Sequence, residues 1–371
     1  MIRKLTPTVV VLALVVIFIA DMKVFGGTLP TSRGNEVKVA AIINLTGPAA
    51  QFDAIKQRTL EVAIDRVHQL YPMSMVTLKL FDAGGGPEST NVAVKKAKRW
   101  GASYFLSGTS PTALAIATQV RNASPPVVQM ANAANPEFGP PRPGEYRLWP
   151  DWEHEAFLVA DLLKSQGFNK VLVIHSADPY SESLKKALSK EISKKGGVVA
   201  VYQQFDPASS PDFRPALTRA KADGAKAIVV FGLPPGIRSL ISQMQQVQWS
   251  GAVVGGVNIN LTASDFSKTG LPGPLWSLRT PTMRQKLASG SEADTYRNAY
   301  IKKNGEVPAF HAVYLADAIY LIAAANAKAS NSSAVDKTRK IREINSASGI
   351  INITTDGILK YPMTAEKLYP E

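Results

Sequence analysis

The chain has 371 residues, 45% hydrophobic and 19% charged, which excludes a disordered or fibrous protein and exceeds the size at which one hydrophobic core stops growing. It has no cysteine, so disulfides, thiolate metal sites, cysteine nucleophiles and a lipid-modified N-terminal cysteine are excluded; the four histidines show no ligand spacing, and neither a metal nor a cofactor is expected. The net charge of +13 raises the question of nucleic acid, but the densest lysine groups, around Lys95–Arg99 and Lys185–Lys195, fall where helices expose a solvated face and no nucleic-acid fold signature accompanies them.

Arg3-Lys4 precedes an apolar run, Thr8–Ala20, of the length of a signal-peptide core and short of the ~20 residues that span a bilayer. Residues 1–26 are therefore expected to be a signal peptide or N-terminal anchor, with a small-residue exit at Val24-Phe25-Gly26 that matches Ala-x-Ala poorly. Gly26–Asn35 reads as a tail.

From Glu36 a strand-helix alternation begins, which predicts an α/β protein with parallel sheets covered by helices on both faces. Val37–Leu45 is a strand, Thr46-Gly47-Pro48 a turn and Gln51–Leu70 an amphipathic helix. Met75–Phe81 is the next strand, followed by Asp82 and a glycine loop that lacks a phosphate-binding fingerprint. A helix over Glu88–Trp100 leads to the strand Ala102–Leu106. In Ser107–Val120, Ser110 reads as an N-cap and Pro111 as the first helical residue. The N–H groups of such a helix start either serve the fold alone or attract a carboxylate or phosphate. Pro126–Met130 is a short strand before the loop Ala131–Pro136.

A second set repeats the pattern. Glu145–Asp151 is expected to be a crossing segment, with Pro150 forcing Trp149 into an extended conformation. Then follow a helix over Glu153–Gln166, a strand over Lys170–His175, the loop Ser176–Tyr180 and a helix over Ser183–Lys195. Strands over Val198–Phe205, Ala225–Gly232 and Ala252–Gly256 alternate with helices over Phe213–Asp223 and Ile237–Gln248. Pro274–Arg279 reads as a further crossing, Glu292–Asn304 as a helix and Phe310–Ala329 as a helix buried on one face. Ile350–Thr355 and Ile358–Tyr361 are closing strands around the two-residue turn Asp356-Gly357. In open sheets ligands collect outside the carboxyl ends of the strands, so two facing units form a cleft between those ends. No dinucleotide fingerprint, nucleophile elbow or clustered His/Asp/Glu set points to an enzyme.

These residues together resemble the type I periplasmic binding proteins, and among them the branched-chain amino acid (Leu/Ile/Val) group of ABC-transporter substrate-binding proteins. The resemblance covers Val37–Tyr361 and rests on Leu45-Thr46-Gly47-Pro48-Ala49, Asp82 with Pro87-Glu88, Thr109-Ser110 before Ala113-Leu114-Ala115, Ala133-Ala134-Asn135-Pro136, Asp178-Pro179-Tyr180, Asp212-Phe213 and Tyr314-x-x-Asp317-Ala318. It implies two Rossmann-like open-sheet lobes joined by three hinge crossings, with residues 36–148 and 280–348 in one lobe and 149–279 and 349–371 in the other. It further implies a periplasmic, monomeric receptor that closes on a small carboxylate or amino-acid-like ligand, without catalysis or cofactor, and serves the membrane permease of an ABC importer. A ligand sensor of the same fold, docked to a signalling partner, is the second reading.

Carried over by this resemblance, Ser110 with Thr109 and nearby N–H groups holds the ligand carboxylate, the loop containing Ala133 and Ala134 adds backbone contacts, and Tyr180 closes over the ligand. The departures are Ala134 in place of a threonine, Asn258 beside Val257 where an acidic residue pairs with the ligand ammonium, Phe52 for a tyrosine, Pro234 for an aromatic residue, and Trp149 at a crossing where small polar residues are usual. They predict a pocket less polar and more aromatic than an amino-acid site, and a ligand lacking a free amino group.

Overall fold

β-branched and apolar residues alternate with turn signals and amphipathic runs along this chain, and most of the short apolar runs pair in parallel with their neighbours. The structure, a computed structural model, describes residues 35–47, 50–206, 209, 211–270, 273–284, 287–328 and 330–369, without the side chains of Asn35 and Phe52. The segment expected to be a signal peptide or anchor, and Pro48 and Ala49 of the first turn, lie outside the described residues. Among the described residues no helix is long and apolar enough to cross a membrane.

The first sheet has five parallel strands in the order β2-β1-β3-β4-β5: β1 (Asn35–Ile43), β2 (Ser74–Asp82), β3 (Tyr104–Ser107), β4 (Val128–Ala131) and β5 (Glu145–Arg147). Val39–Ile43 of β1 are fully buried, as a strand covered on both faces requires. The helices α1 (Ala50–Leu70), α2 (Pro87–Trp100) and α3 (Ser110–Val120) connect these strands, and the pairing of β4 with β5 makes residues 145–147 part of the sheet. The first crossing is therefore shorter than Glu145–Asp151.

The second sheet has six strands in the order β14-β10-β9-β8-β6-β7: β6 (Lys170–Ser176), β7 (Val198–Phe205), β8 (Ala227–Phe231), β9 (Ala252–Gly255), β10 (Leu275–Arg279) and, antiparallel at the edge, β14 (Thr364–Tyr369). The helices α4 (Trp152–Ser165), α5 (Pro179–Lys194), α6 (Arg214–Ala222), α7 (Pro234–Gln246) and the short α8 (Ala263–Ser267) belong to this run of chain. β10 corrects the expected crossing at Pro274–Arg279, because Leu275–Ser277 pair with Val253–Gly255. The helices α5 and α7 begin earlier than Ser183 and Ile237, at Pro179 and Pro234. Proline has no N–H to lose in the first turn, so these residues open helices where the sequence suggests loop.

After β10 come α9 (Glu292–Asn304), α10 (Phe310–Asn326), α11 (Ala334–Arg339) and an antiparallel sheet of β11 (Glu343–Ser346), β12 (Gly349–Ile353) and β13 (Leu359–Lys360). Every residue from His311 to Ala323 is buried, so α10 is covered all round and not on one face alone. It packs against α1, β2, β11 and α11. Its Asp317 accepts the N–H of Ser348 at 2.9 Å and that residue's hydroxyl at 2.7 Å, pinning the β11–β12 turn to the helix. The division expected after residue 348 falls inside this hairpin, and the chain joins the six-stranded sheet only at β14. The β12–β13 turn is also longer than Asp356-Gly357. The Thr354 N–H donates to the Ile358 carbonyl at 3.0 Å, and Gly357 takes a left-handed φ of 93° inside the loop.

Candidate functional site

The turn after β3 is built from a threonine cap. Thr109 holds the extended φ and ψ of an N-cap, −145° and 160°, and its hydroxyl oxygen accepts the Thr112 N–H at 3.4 Å. Its own O–H donates to Thr112 Oγ1 at 2.9 Å. The cap expected at Ser110 therefore falls one residue earlier, and Ser110 and Pro111 open α3. Since the Thr112 N–H goes to the cap, the Ala113 N–H to the Thr109 carbonyl and Pro111 has none, Ser110 supplies the remaining donors of this turn among the described residues. Ser110 Oγ accepts the Asn135 N–H at 3.3 Å, which ties the β3 turn to the loop after β4 and directs the hydroxyl hydrogen elsewhere.

Behind this turn lies a buried ion pair that sequence reasoning missed. Lys56 Nζ donates to Asp53 Oδ1 at 2.5 Å and to the Gly108 carbonyl at 2.7 Å, and both side chains are fully buried. Asp53 Oδ2 accepts the N–H and side-chain amide of Asn44, at 2.8 and 2.9 Å. Burial pulls the lysine below its usual value while Asp53 acts to raise it. A β-carbon on Gly108 would stand 3.1 Å from Lys56 Nζ and 3.2 Å from Asp53 Oδ2, so a side chain here would crowd the ion pair. A lysine three residues after an aspartate on a helix reads as a surface pair; only the packing of α1 under the strand ends shows otherwise. Asp82 fixes the adjacent loop, accepting the N–H groups of Leu45, Thr46 and Gly84 and the Thr46 hydroxyl. Desolvation opposes its charge, yet these donors hold its carboxyl below the usual range.

The loop after β4 carries Ala133 and Ala134. Ala133 is fully buried in a small cluster with Ala113, Ala117, Ala131 and Phe138, so its side chain packs into the fold, and Ala134 is half-buried against the main core. Asn132 donates its side-chain amide to the His311 carbonyl and anchors the start of α10. There Phe310 meets Trp149, with ring centroids 6.2 Å apart.

Trp149 stands at the first crossing and joins the two sheets' surroundings. Its ring meets Tyr314 of α10 edge-on at 5.5 Å and Tyr180 of α5 edge-on at 6.4 Å. Tyr314 in turn lies 5.0 Å from Tyr361, whose hydroxyl donates to the Leu148 carbonyl at 2.8 Å and links the first crossing to the segment between β13 and β14. Tyr180, expected in a loop and closing over a ligand, sits in the first turn of α5, is 4% exposed, and donates its hydroxyl to Glu155. Asp178 caps the same helix by accepting the N–H groups of Tyr180 and Ser181 at 3.0 and 2.9 Å, so this second helix start already has its anion.

An acidic group, Glu155, does stand beside the Val257–Asn258 stretch. It comes from α4, is completely buried, and accepts the Val257 N–H at 3.0 Å through Oε2. Burial pushes its pKa up to about 7 against the opposing pull of the Tyr180 and Val257 hydrogen bonds, and the charge of Asp151 adds to the rise. No local motif announces it, because its partners are remote in sequence. Asn258 is half-buried in the 3-10 turn Val257–Leu261 after β9. Its neighbour Asn260 donates its amide to Val257 O at 2.8 Å and Ser277 Oγ at 2.6 Å, bracing that turn on β10. Phe52 lies in the first turn of α1, and its side chain is outside the described residues.

A continuous path of contacts thus runs from Ser110 through Asn132 and the 135 loop to Phe310, Trp149, Tyr180, Glu155 and Val257. It is rich in aromatic rings, and its serine turn offers donors at one end.

No curated protein matches the chain. A solute-binding protein of an ABC transporter from Rhodopseudomonas palustris, solved with 3,4-dihydroxybenzoic acid, superposes with a TM-score of 0.69 over 90% of this chain and 93% of that one, at 19% identity. A second solute-binding protein from the same species, solved with benzoate, gives a TM-score of 0.70 at 12% identity, covering 90% of this chain and 94% of that one. A leucine-binding protein from Thermotoga maritima gives 0.68 at 22% identity, covering 89% and 94%. The model of the family described as periplasmic binding protein matches residues 36–364, and the chain, with its two parallel-rich α/β sheets, belongs to that family.

Proposed function

We propose that this chain is an exported solute-binding receptor that captures a small carboxylate with an apolar or aromatic body, without catalysis, and delivers it to the permease of an ABC importer. The observation that carries this reading is that the loop after β4 contacts both the Ser110 donor turn, through Asn135, and the start of α10, through Asn132, where Phe310 and Tyr314 meet Trp149. A carboxylate takes the N–H and hydroxyl of Ser110, and an apolar body lies against rings. A ligand ammonium finds a poorer setting. Glu155 already accepts two hydrogen bonds, and burial favours its neutral form. Benzoate and dihydroxybenzoate, bound by two of the similar proteins, have the charge and the ring this arrangement suits. The lobe boundaries expected near residues 148 and 280 fit the sheet connections, and we place the third crossing at residues 361–363, between β13 and β14.

Calorimetric titration with benzoate, 3,4-dihydroxybenzoate, leucine and valine tests the reading. The aromatic carboxylates are expected to bind and the amino acids not; binding of leucine or valine alone overturns the ligand assignment. Ser110→Ala is expected to weaken carboxylate binding by about 1–3 kcal/mol, the loss of a hydrogen bond to a charged group. An unchanged affinity in that variant removes Ser110 from the site.

A further inference from the structure

A second set of charged groups stands apart from the serine turn. Arg279 ends β10, Arg284 follows the 3-10 turn Pro281–Met283, and Arg297 lies on α9. The three line one cavity of about 860 Å³, which is bounded by Phe310 at the start of α10 and by Asn260 and Leu368 on the side of the six-stranded sheet. Among the described residues Glu366 is the one carboxylate on its wall, 3.0 Å from Arg284 Nε and 3.8 Å from Arg279 Nη1. Arg297 donates to the Arg284 carbonyl at 2.6 Å, while the buried Nε of Arg279 donates to nothing among the described residues. Burial lowers the Arg279 pKa, Glu366 opposes that change, and the like charges of Arg297 and Arg284 reinforce it. Three guanidiniums and the exposed Lys367 ammonium therefore line a half-buried space with a single carboxylate.

We propose that this cavity is a second ligand site, distinct from the Ser110 turn, for an organic dicarboxylate with an apolar body. Two carboxylates would offset two of the three positive charges that Glu366 leaves over, and the planar fork of arginine matches a carboxylate in geometry. Met283, Phe310 and Leu368 give the remaining wall an apolar character suited to the ligand body. The volume falls within the ~300–1,000 Å³ of small-molecule sites. An occupant would touch α10 on one side and the residues after β9 and in β14 on the other, so it would brace the two sheets' surroundings against each other.

Calorimetry with phthalate, a ring carrying two carboxylates, tests the proposal at constant ionic strength against sodium chloride. Phthalate is expected to bind the unaltered protein, and Arg279→Gln or Arg297→Gln to weaken it about tenfold to a hundredfold, the range of a lost charge-assisted hydrogen bond. Circular dichroism melting shows that each variant is folded, and having two variants guards against one that is not. Phthalate held at the Ser110 turn would be a separate component of the titration, and Ser110→Ala is expected to leave the arginine-dependent component unchanged. Absence of phthalate binding, binding by both arginine variants as tight as the parent's, or loss of the arginine-dependent component in Ser110→Ala overturns the proposal. Arginine-dependent phthalate binding without any benzoate binding would uphold this site while the proposed solute fails.

Discussion

Replacing Lys56 with methionine is expected to destabilise the protein by about 3–5 kcal/mol, the usual consequence of leaving one member of a buried ion pair alone. The lysine is fully buried, so methionine fills similar volume and the loss is electrostatic. Among the described residues Asp53 would be left with the two donors of Asn44, and the Gly108 carbonyl would lose its 2.7 Å donor. Since Gly108 leads directly into Thr109 and Ser110, the damage reaches the turn proposed to hold the carboxylate. Urea unfolding at neutral pH measures the first effect, and titration with benzoate the second. The double variant Asp53→Asn/Lys56→Met removes both charges and should recover part of the lost stability, because asparagine can still accept from Asn44. A single variant within about 1 kcal/mol of the parent, comparable to an exposed pair, would show that the buried pair does not hold these strand ends.

The alternation of strands and helices was legible in the sequence because each parallel strand is an apolar run bounded by turn residues. The β7 bounds agree to the residue, and α1 and α9 closely. Errors gathered where local chemistry has two meanings. Pro179 and Pro234 suggest loops but open helices, and this moved Tyr180 from an exposed loop into a buried first turn. Thr109 and Ser110 are both good caps, and backbone angles alone choose between them. The groups at the site's second rank were hidden for a different reason. Lys56 reaches Gly108, and Glu155 reaches Val257, across long stretches of chain that no window of sequence displays. A charged residue on the inward stripe of a helix is the one signal that could have exposed them. Such a residue must meet a partner or give up its charge.

Glu155 follows the second course, and its expected signature is a loss of stability as pH rises. Its carboxyl titrates near about 7 when folded, against an ordinary value of 4.5. Between those values the folded state holds a proton that the unfolded state has released. The stabilisation tied to that proton is complete below about 4.5, declines across the interval, and is gone above about 7. The interval corresponds to about 3 kcal/mol as an upper figure. Asp317, pushed up to about 6 by its burial, has the same sign but finishes titrating lower, whereas burial holds His154, His175 and His311 below their ordinary 6.5 and gives a slope of opposite sign up to that value, so the Glu155 contribution is read as a difference between parent and variant. Glu155→Gln isolates it. The amide oxygen can accept the Val257 N–H while the amide nitrogen donates to the Tyr180 hydroxyl, so packing and hydrogen bonds survive without a titrating group. Urea unfolding from pH 5 to 8 should show the stability of the variant relative to the parent rising across that range, with the histidine contribution common to both, so that at pH 8 the variant is the more stable. Equal slopes in the two proteins would mean that Glu155 keeps its charge in the fold, and a ligand ammonium would then find the counter-charge that the proposed solute preference denies it.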